Sequence, residues 1–120
     1  MERIYGLIKR RAFYASINSW RGLQACFKYE EAFRIEVAVT CLLFPLAFFM
    51  AESPVELVLL LGSVLLLLIV ELLNSAVEAA IDRIGEERHD LSGRAKDLGS
   101  AAVLLTMLLV LITWVAIAVQ

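Results

Sequence analysis

The sequence predicts an all-α membrane protein: three transmembrane helices preceded by an N-terminal amphipathic helix at the membrane surface. Three observations carry this. Hydrophobic residues make up 61% of the 120-residue chain and the mean hydropathy is +0.79, far more apolar content than a soluble domain of this size needs. Three stretches approach the ~20 apolar residues that a helix needs to cross a ~30 Å hydrocarbon core. All eleven Lys and Arg residues fall within Arg3 to Arg34 or Arg83 to Lys96, leaving long stretches free of positive charge. The chain is expected to be one domain, residues 1–120, without repeats or low-complexity linkers.

The surface helix is expected over residues 3–28. Ile4, Leu7, Ile8, Ala12, Ala15, Ser19, Leu23 and Cys26 recur near the helical period, interleaved with Lys9, Arg10, Arg11 and Arg21, the pattern of a basic amphipathic helix in the interface. Its small residues, Ala12, Ala15, Ser16, Ser19 and Gly22, equally suit tight packing against another helix. No signal peptide is expected, because AFYASINSW after the basic cluster is not a continuous apolar run. Cys26 and Cys41 lack metal or redox spacing and are read as packing residues.

The first span is expected over residues 31–51. Its uncharged part, VAVTCLLFPLAFFMA, is too short alone, so the helix must extend through Glu31 to Glu36 with Arg34 snorkelling to the interface and Pro45 as a kink. ESPVE, Glu52 to Glu56, reads as a tight turn with Ser53 capping a helix that has Pro54 at its first position. The second span is expected over residues 55–84. The loop GEERHDLSGRAKD follows, its latter half open to being helical, and the third span is expected over residues 97–119 with Trp114 near its far end. With three spans, both basic regions lie on one side. The positive-inside rule makes that side cytoplasmic, with the ESPVE turn and Gln120 outside.

The second span carries the chemistry. Glu71, Asn74, Ser75, Glu78 and Asp82 stand at i, i+3, i+4, i+7 and i+11 and so share one helix face. A carboxylate near the bilayer centre costs about 2.5–3.5 kcal/mol on insertion scales. Several on one stripe therefore need a protein-lined or watery site. Two such acids can hold a divalent cation, or divide the work of base and metal ligand. Asp82, in the last turns, is equally accounted for as a solvated helix end. YEEAFRIE supplies Glu30, Glu31, Arg34 and Glu36, any of whose acids can complete a cation site with Glu78 if the helices are adjacent. The loop mixes acids with Arg88, His89, Arg94 and Lys96, and Lys96-Asp97 at a helix entry suits phosphate neutralisation. No Walker, dinucleotide or kinase catalytic-loop motif occurs.

The segments NSWRGLQA (Asn18 to Ala25), EEAFR (Glu30 to Arg34), VELLNSAVEAAIDRIG (Val70 to Gly85) and HDLSGRAKDLGSAAV (His89 to Val103) resemble the small bacterial membrane-integral diacylglycerol kinases over nearly the whole chain. The resemblance implies a homotrimer with composite active sites in the bacterial inner membrane, its N-terminus cytoplasmic and its C-terminus periplasmic. It implies transfer of the γ-phosphate of ATP to diacylglycerol, with Mg²⁺ as cofactor and no nucleic-acid partner. Carried onto this chain, Glu71 is the base with Asn74 supporting it, and Glu30 and Glu78 hold the metal. Arg11, Asn18, Glu87, Arg88, His89, Lys96 and Asp97 lie around the nucleotide, with Asn18 standing where the family has a tyrosine. Ala15, Ser19, Arg34, Ser100 and Trp114 lie near the lipid. The alternatives are undecaprenol as acceptor or, from another class, a small proton-conducting or channel oligomer that uses Glu71 and Glu78 as relay carboxylates.

Overall fold

The computed structural model describes residues 1–85, 87 and 89–120. Four helices follow in order: α1 (Glu2–Tyr29), α2 (Glu31–Met50), α3 (Pro54–Ile84) and α4 (Asp90–Ala118). The described residues contain no strand, and α2, α3 and α4 are each long and apolar enough to cross a membrane. The expected all-α architecture with three spans is the observed one.

Each boundary has a local cause. α1 and α2 are separated by Glu30 alone, whose backbone is extended (φ −112°, ψ 109°). Pro45 lies inside α2 without ending it; its missing N–H leaves the Cys41 carbonyl without the usual helical donor. Ser53 caps α3 as the sequence predicts: its Oγ accepts from the Glu56 N–H at 3.2 Å, and Pro54 occupies the first turn. The Glu56 carboxylate accepts from the Glu52 N–H at 2.6 Å and from the Gln120 side-chain amide, so the α2–α3 turn and the end of α4 meet.

α4 begins at Asp90, earlier than the membrane span expected from residue 97. Its N-cap is His89, whose Nδ1 accepts from the Leu91 N–H at 3.1 Å. Asp90 in the first turn complements the helix dipole.

α3 packs most extensively against α4 and next against α2, whereas α1 touches the bundle mainly near its C-terminal end. Extents of 51 × 49 × 23 Å explain why. A three-helix bundle has one long dimension, set by α3 at ~46 Å. The second, 49 Å, is consistent with α1 extending away from the other helices beyond its C-terminal contacts.

Very little of the chain is buried by itself. Leu60, Val64, Ala47 and Phe33 form a thin apolar core, while Leu42, Phe49 and Leu105 are largely exposed. Cys41 is exposed on α2 rather than packed within the chain. Across the α3–α4 seam the Trp114 indole N–H donates to Ser63 Oγ at 3.1 Å, and Ser63 Oγ–H donates to the Leu60 carbonyl at 2.8 Å. Ser63→Ala leaves the indole without its acceptor. It is expected to lower unfolding stability in mixed micelles by about 0.6–1.5 kcal/mol, read from the midpoint of denaturant titration.

Candidate active site

The polar stripe of α3 lies on its inward side at Glu71, which is only 5% exposed, while Asn74, Ser75 and Glu78 are half-buried. Counting from Pro54, Glu71 is about 26 Å along the helix. It therefore stands near the boundary of a ~30 Å hydrocarbon layer, toward the end of the bundle that carries the basic residues.

Four carboxyl groups converge there. Glu36 of α2 comes within hydrogen-bonding reach of Glu71, and Glu30 and Glu78 lie close enough for their charges to act on it. One Glu36 carboxyl oxygen is buried without a hydrogen-bond partner. Sequence alone grouped Glu36 with Glu30 and Glu31 as acids able to complete a cation site with Glu78; the fold brings it to Glu71 instead. Glu31 is exposed.

Asn74 links the two proposed functions of the stripe. Its Nδ2 donates to Glu78 Oε1 at 3.4 Å, leaving the other Glu78 oxygen free of that bond. Its Oδ1 is buried without a partner and lies against Gly99 of α4, at the position where a Cβ on that residue would collide with it. The glycine Cα–H therefore points at the amide oxygen, a weak polar contact that leaves the NH₂ facing Glu78. The need for glycine at position 99 arises from the way α3 and α4 pack rather than from either helix alone.

Nearer the loop, Lys96 Nζ and Asp82 Oδ1 form an ion pair at 2.8 Å, with both side chains well exposed. Asp82 is a solvated helix end, as the sequence allowed, and it also pairs with the lysine at the α3–α4 junction. His89, Asp90, Gly93, Arg94 and Asp97 line a cleft of about 420 Å³, and Glu87 lines a neighbouring one with Asp82, His89 and Lys96. Arg88 lies outside the described residues.

The other expected contacts are spread out. Arg11, Ala15, Asn18 and Ser19 share one face of α1 and are all exposed. α1 reaches α3 further on, where Cys26 Sγ–H donates to Ser75 Oγ at 3.5 Å. Burial pushes the Cys26 thiol above its ordinary range, reinforced by nearby Glu30, Glu71 and Glu36 and opposed by the Ser75 bond. It is an inert packing thiol. Ser100 is exposed on α4. Trp114 bonds to Ser63, eight residues and about 12 Å along α3 from Glu71. Arg34 turns back from α2 so that Nη1 donates to the carbonyls of Phe27 and Lys28 at 2.8 and 2.9 Å.

Among the described residues, no three His, Cys, Asp or Glu side chains form a ready cage for an ion. The donors present are nevertheless the hard carboxylate oxygens that suit magnesium. That ion commonly takes one or two carboxylates and completes its shell with water and substrate phosphates. Glu30 and Glu78, both near enough to Glu71 to act on its charge, supply two such carboxylates.

With this arrangement in view, comparison with known proteins decides the family. Residues 17–118 match the model of the prokaryotic diacylglycerol kinases. The chain belongs to that family. It is 54% identical to a diacylglycerol kinase of Haemophilus influenzae over 96 residues, covering 80% of this chain and 81% of the relative. It is 49% identical to one of Escherichia coli K12 over 104 residues (87% and 85%) and 44% identical to one of Pseudomonas aeruginosa over 108 residues (90% and 88%). The family match spans α2, α3 and α4 up to Ala118 and enters α1 only at residue 17, so Arg11 and Ala15 lie outside it.

Gly99→Ala is expected to displace the Asn74 amide, lowering stability by about 1–3 kcal/mol and reducing turnover in the protein that remains folded. Gly62→Ala, whose added Cβ meets nothing within 4 Å, is the control. It is expected to retain turnover and to be as stable as the parent or slightly more so.

Proposed function

We infer that this protein is a membrane-integral lipid kinase that transfers the γ-phosphate of ATP to the free hydroxyl of diacylglycerol, giving phosphatidic acid and ADP. The observation that carries the reading is a buried carboxylate, Glu71, near the inner boundary of a membrane span in a chain of the diacylglycerol kinase family.

The proposed chemistry follows from depth. Diacylglycerol keeps its acyl chains in the bilayer and presents its hydroxyl at the level of Glu71. A lipid hydroxyl is a poor nucleophile, and a carboxylate partly withdrawn from water accepts its proton as the oxygen attacks the γ-phosphorus. The new O–P bond forms while the bond from the γ-phosphorus to the β–γ bridging oxygen breaks, and the electron pair leaves with ADP. Asn74 holds Glu78 and faces the same stripe, fixing the spacing between base and metal ligand. Lys96, released from Asp82, neutralises phosphate charge from the loop side, and His89, Glu87, Arg88 and Asp97 surround the nucleotide. Mg²⁺, held by Glu30 and Glu78, would screen the phosphates and favour charge transfer to the leaving oxygen. Ser100 contributes on the lipid side.

A homotrimer is proposed on two grounds. A single chain leaves most of its apolar surface exposed. It also leaves Arg11, Ala15, Asn18 and Ser19 on an exposed α1 face, as a composite site between neighbours requires. The cytoplasmic membrane, with both basic regions on the inner side, is the proposed location.

Phosphorylation assays with labelled ATP across a lipid panel test the substrate. Dioleoylglycerol is expected to turn over faster than undecaprenol, and the reverse order would reassign the acceptor. Glu71→Gln is expected to lower turnover by about 10²–10⁴-fold in a protein that remains folded by circular dichroism. Glu30→Gln and Glu78→Gln are expected to raise the magnesium concentration giving half-maximal rate, and an unchanged titration would remove the metal assignment.

A further inference from the structure

Arg34 follows directly on the segment that joins the surface helix to the first span. Only Glu30 separates α1 from α2, and Arg34 is bonded on both sides of it. Its backbone N–H donates to the Glu30 carbonyl at 3.3 Å. Its guanidinium Nη1 donates to the carbonyls of Phe27 and Lys28, in the last turn of α1. A cation at a helix C-terminus satisfies carbonyls that have no intrahelical donor and complements the negative end of the dipole. Phe33, 3% exposed, anchors the neighbouring position in the core. The arginine therefore ties the end of α1 to the first turn of α2 across a single extended residue.

We propose that Arg34 is a positioning residue that fixes the α1–α2 elbow and thereby sets where the Glu30 carboxylate stands relative to Glu78. The inference rests on the reading of Glu30 as a metal ligand. It differs from the role implied by family resemblance, in which Arg34 lies near the lipid.

The sign of the effect separates the two. Arg34 is a cation near a proposed cation site, so loss of its charge alone would tighten metal binding. Loss of the elbow would weaken it. Mn²⁺ with a non-hydrolysable ATP analogue, added to the full-length protein in micelles, gives a binding constant by electron paramagnetic resonance independently of turnover. Arg34→Gln is expected to weaken Mn²⁺ binding about tenfold, at the low end of the ~10–100-fold effects of residues that orient ligands, with the KM for diacylglycerol unchanged. Arg34→Lys keeps the charge but lacks the guanidinium fork; it is expected to recover part of the affinity and serves if the glutamine variant does not fold. Unchanged or tighter Mn²⁺ binding in Arg34→Gln overturns the proposal, as does a raised KM for diacylglycerol with metal affinity intact. Glu30→Gln run in parallel keeps the two readings apart. If it too leaves Mn²⁺ binding unchanged, the metal assignment itself fails; if it alone weakens binding, only the elbow does.

Discussion

The cost of keeping the Glu71 carboxylate out of water governs the arrangement around it. A charged or hydrogen-bonding group in a span must find partners within the protein or at its edge, and α3 meets the demand by placing Glu71 toward the end of the bundle that carries the basic residues. Beyond it the helix needs a further polar turn, supplied by Asn74 and Glu78, and then an exit into the interface at Asp82, where Lys96 waits. On its other side α2 brings Glu36. The thirteen residues before Val70, apart from Gly62 and Ser63, are free to be purely apolar because the chemistry is confined to one end.

That confinement explains the asymmetry of the bundle. The end at the α2–α3 turn is held by backbone logic: a capped helix start, a proline in the first turn and the Glu56 bonds that collect Glu52 and Gln120. The opposite end is held by side-chain contacts: Asn74 with Glu78, Lys96 with Asp82, and Glu36 near Glu71. Asn74 illustrates the difference, since the same amide that packs against Gly99 supports Glu78.

The spans and the α3 stripe were legible in the sequence because both are periodic: hydropathy marks the helices, and a spacing of three and four gathers Glu71, Asn74, Ser75 and Glu78 on one face. The Ser53 cap was legible for the same local reason. What could not be read depended on how helices cross. Glu36 meeting Glu71, Gly99 admitting Asn74 and Ser63 receiving Trp114 are contacts between elements, set by rotations no single helix encodes. The latter half of GEERHDLSGRAKD is helical, as its sequence allows, but a start capped by His89 was not legible because histidine is not among the residues that commonly cap a helix. Arg34 was expected to reach toward the headgroups, but the free carbonyls ending α1 lie one turn away and claim its guanidinium.

The elbow at Glu30 also has a mechanical consequence. α1 is ~42 Å long; one extended residue joins it to α2, and Cys26, a turn earlier, bonds to Ser75 of α3. Rotation about that point by one degree displaces the far tip by about 0.7 Å, while a carboxylate at the pivot hardly moves. A displacement at the far end of α1 therefore reaches the four carboxylates beside the elbow much reduced.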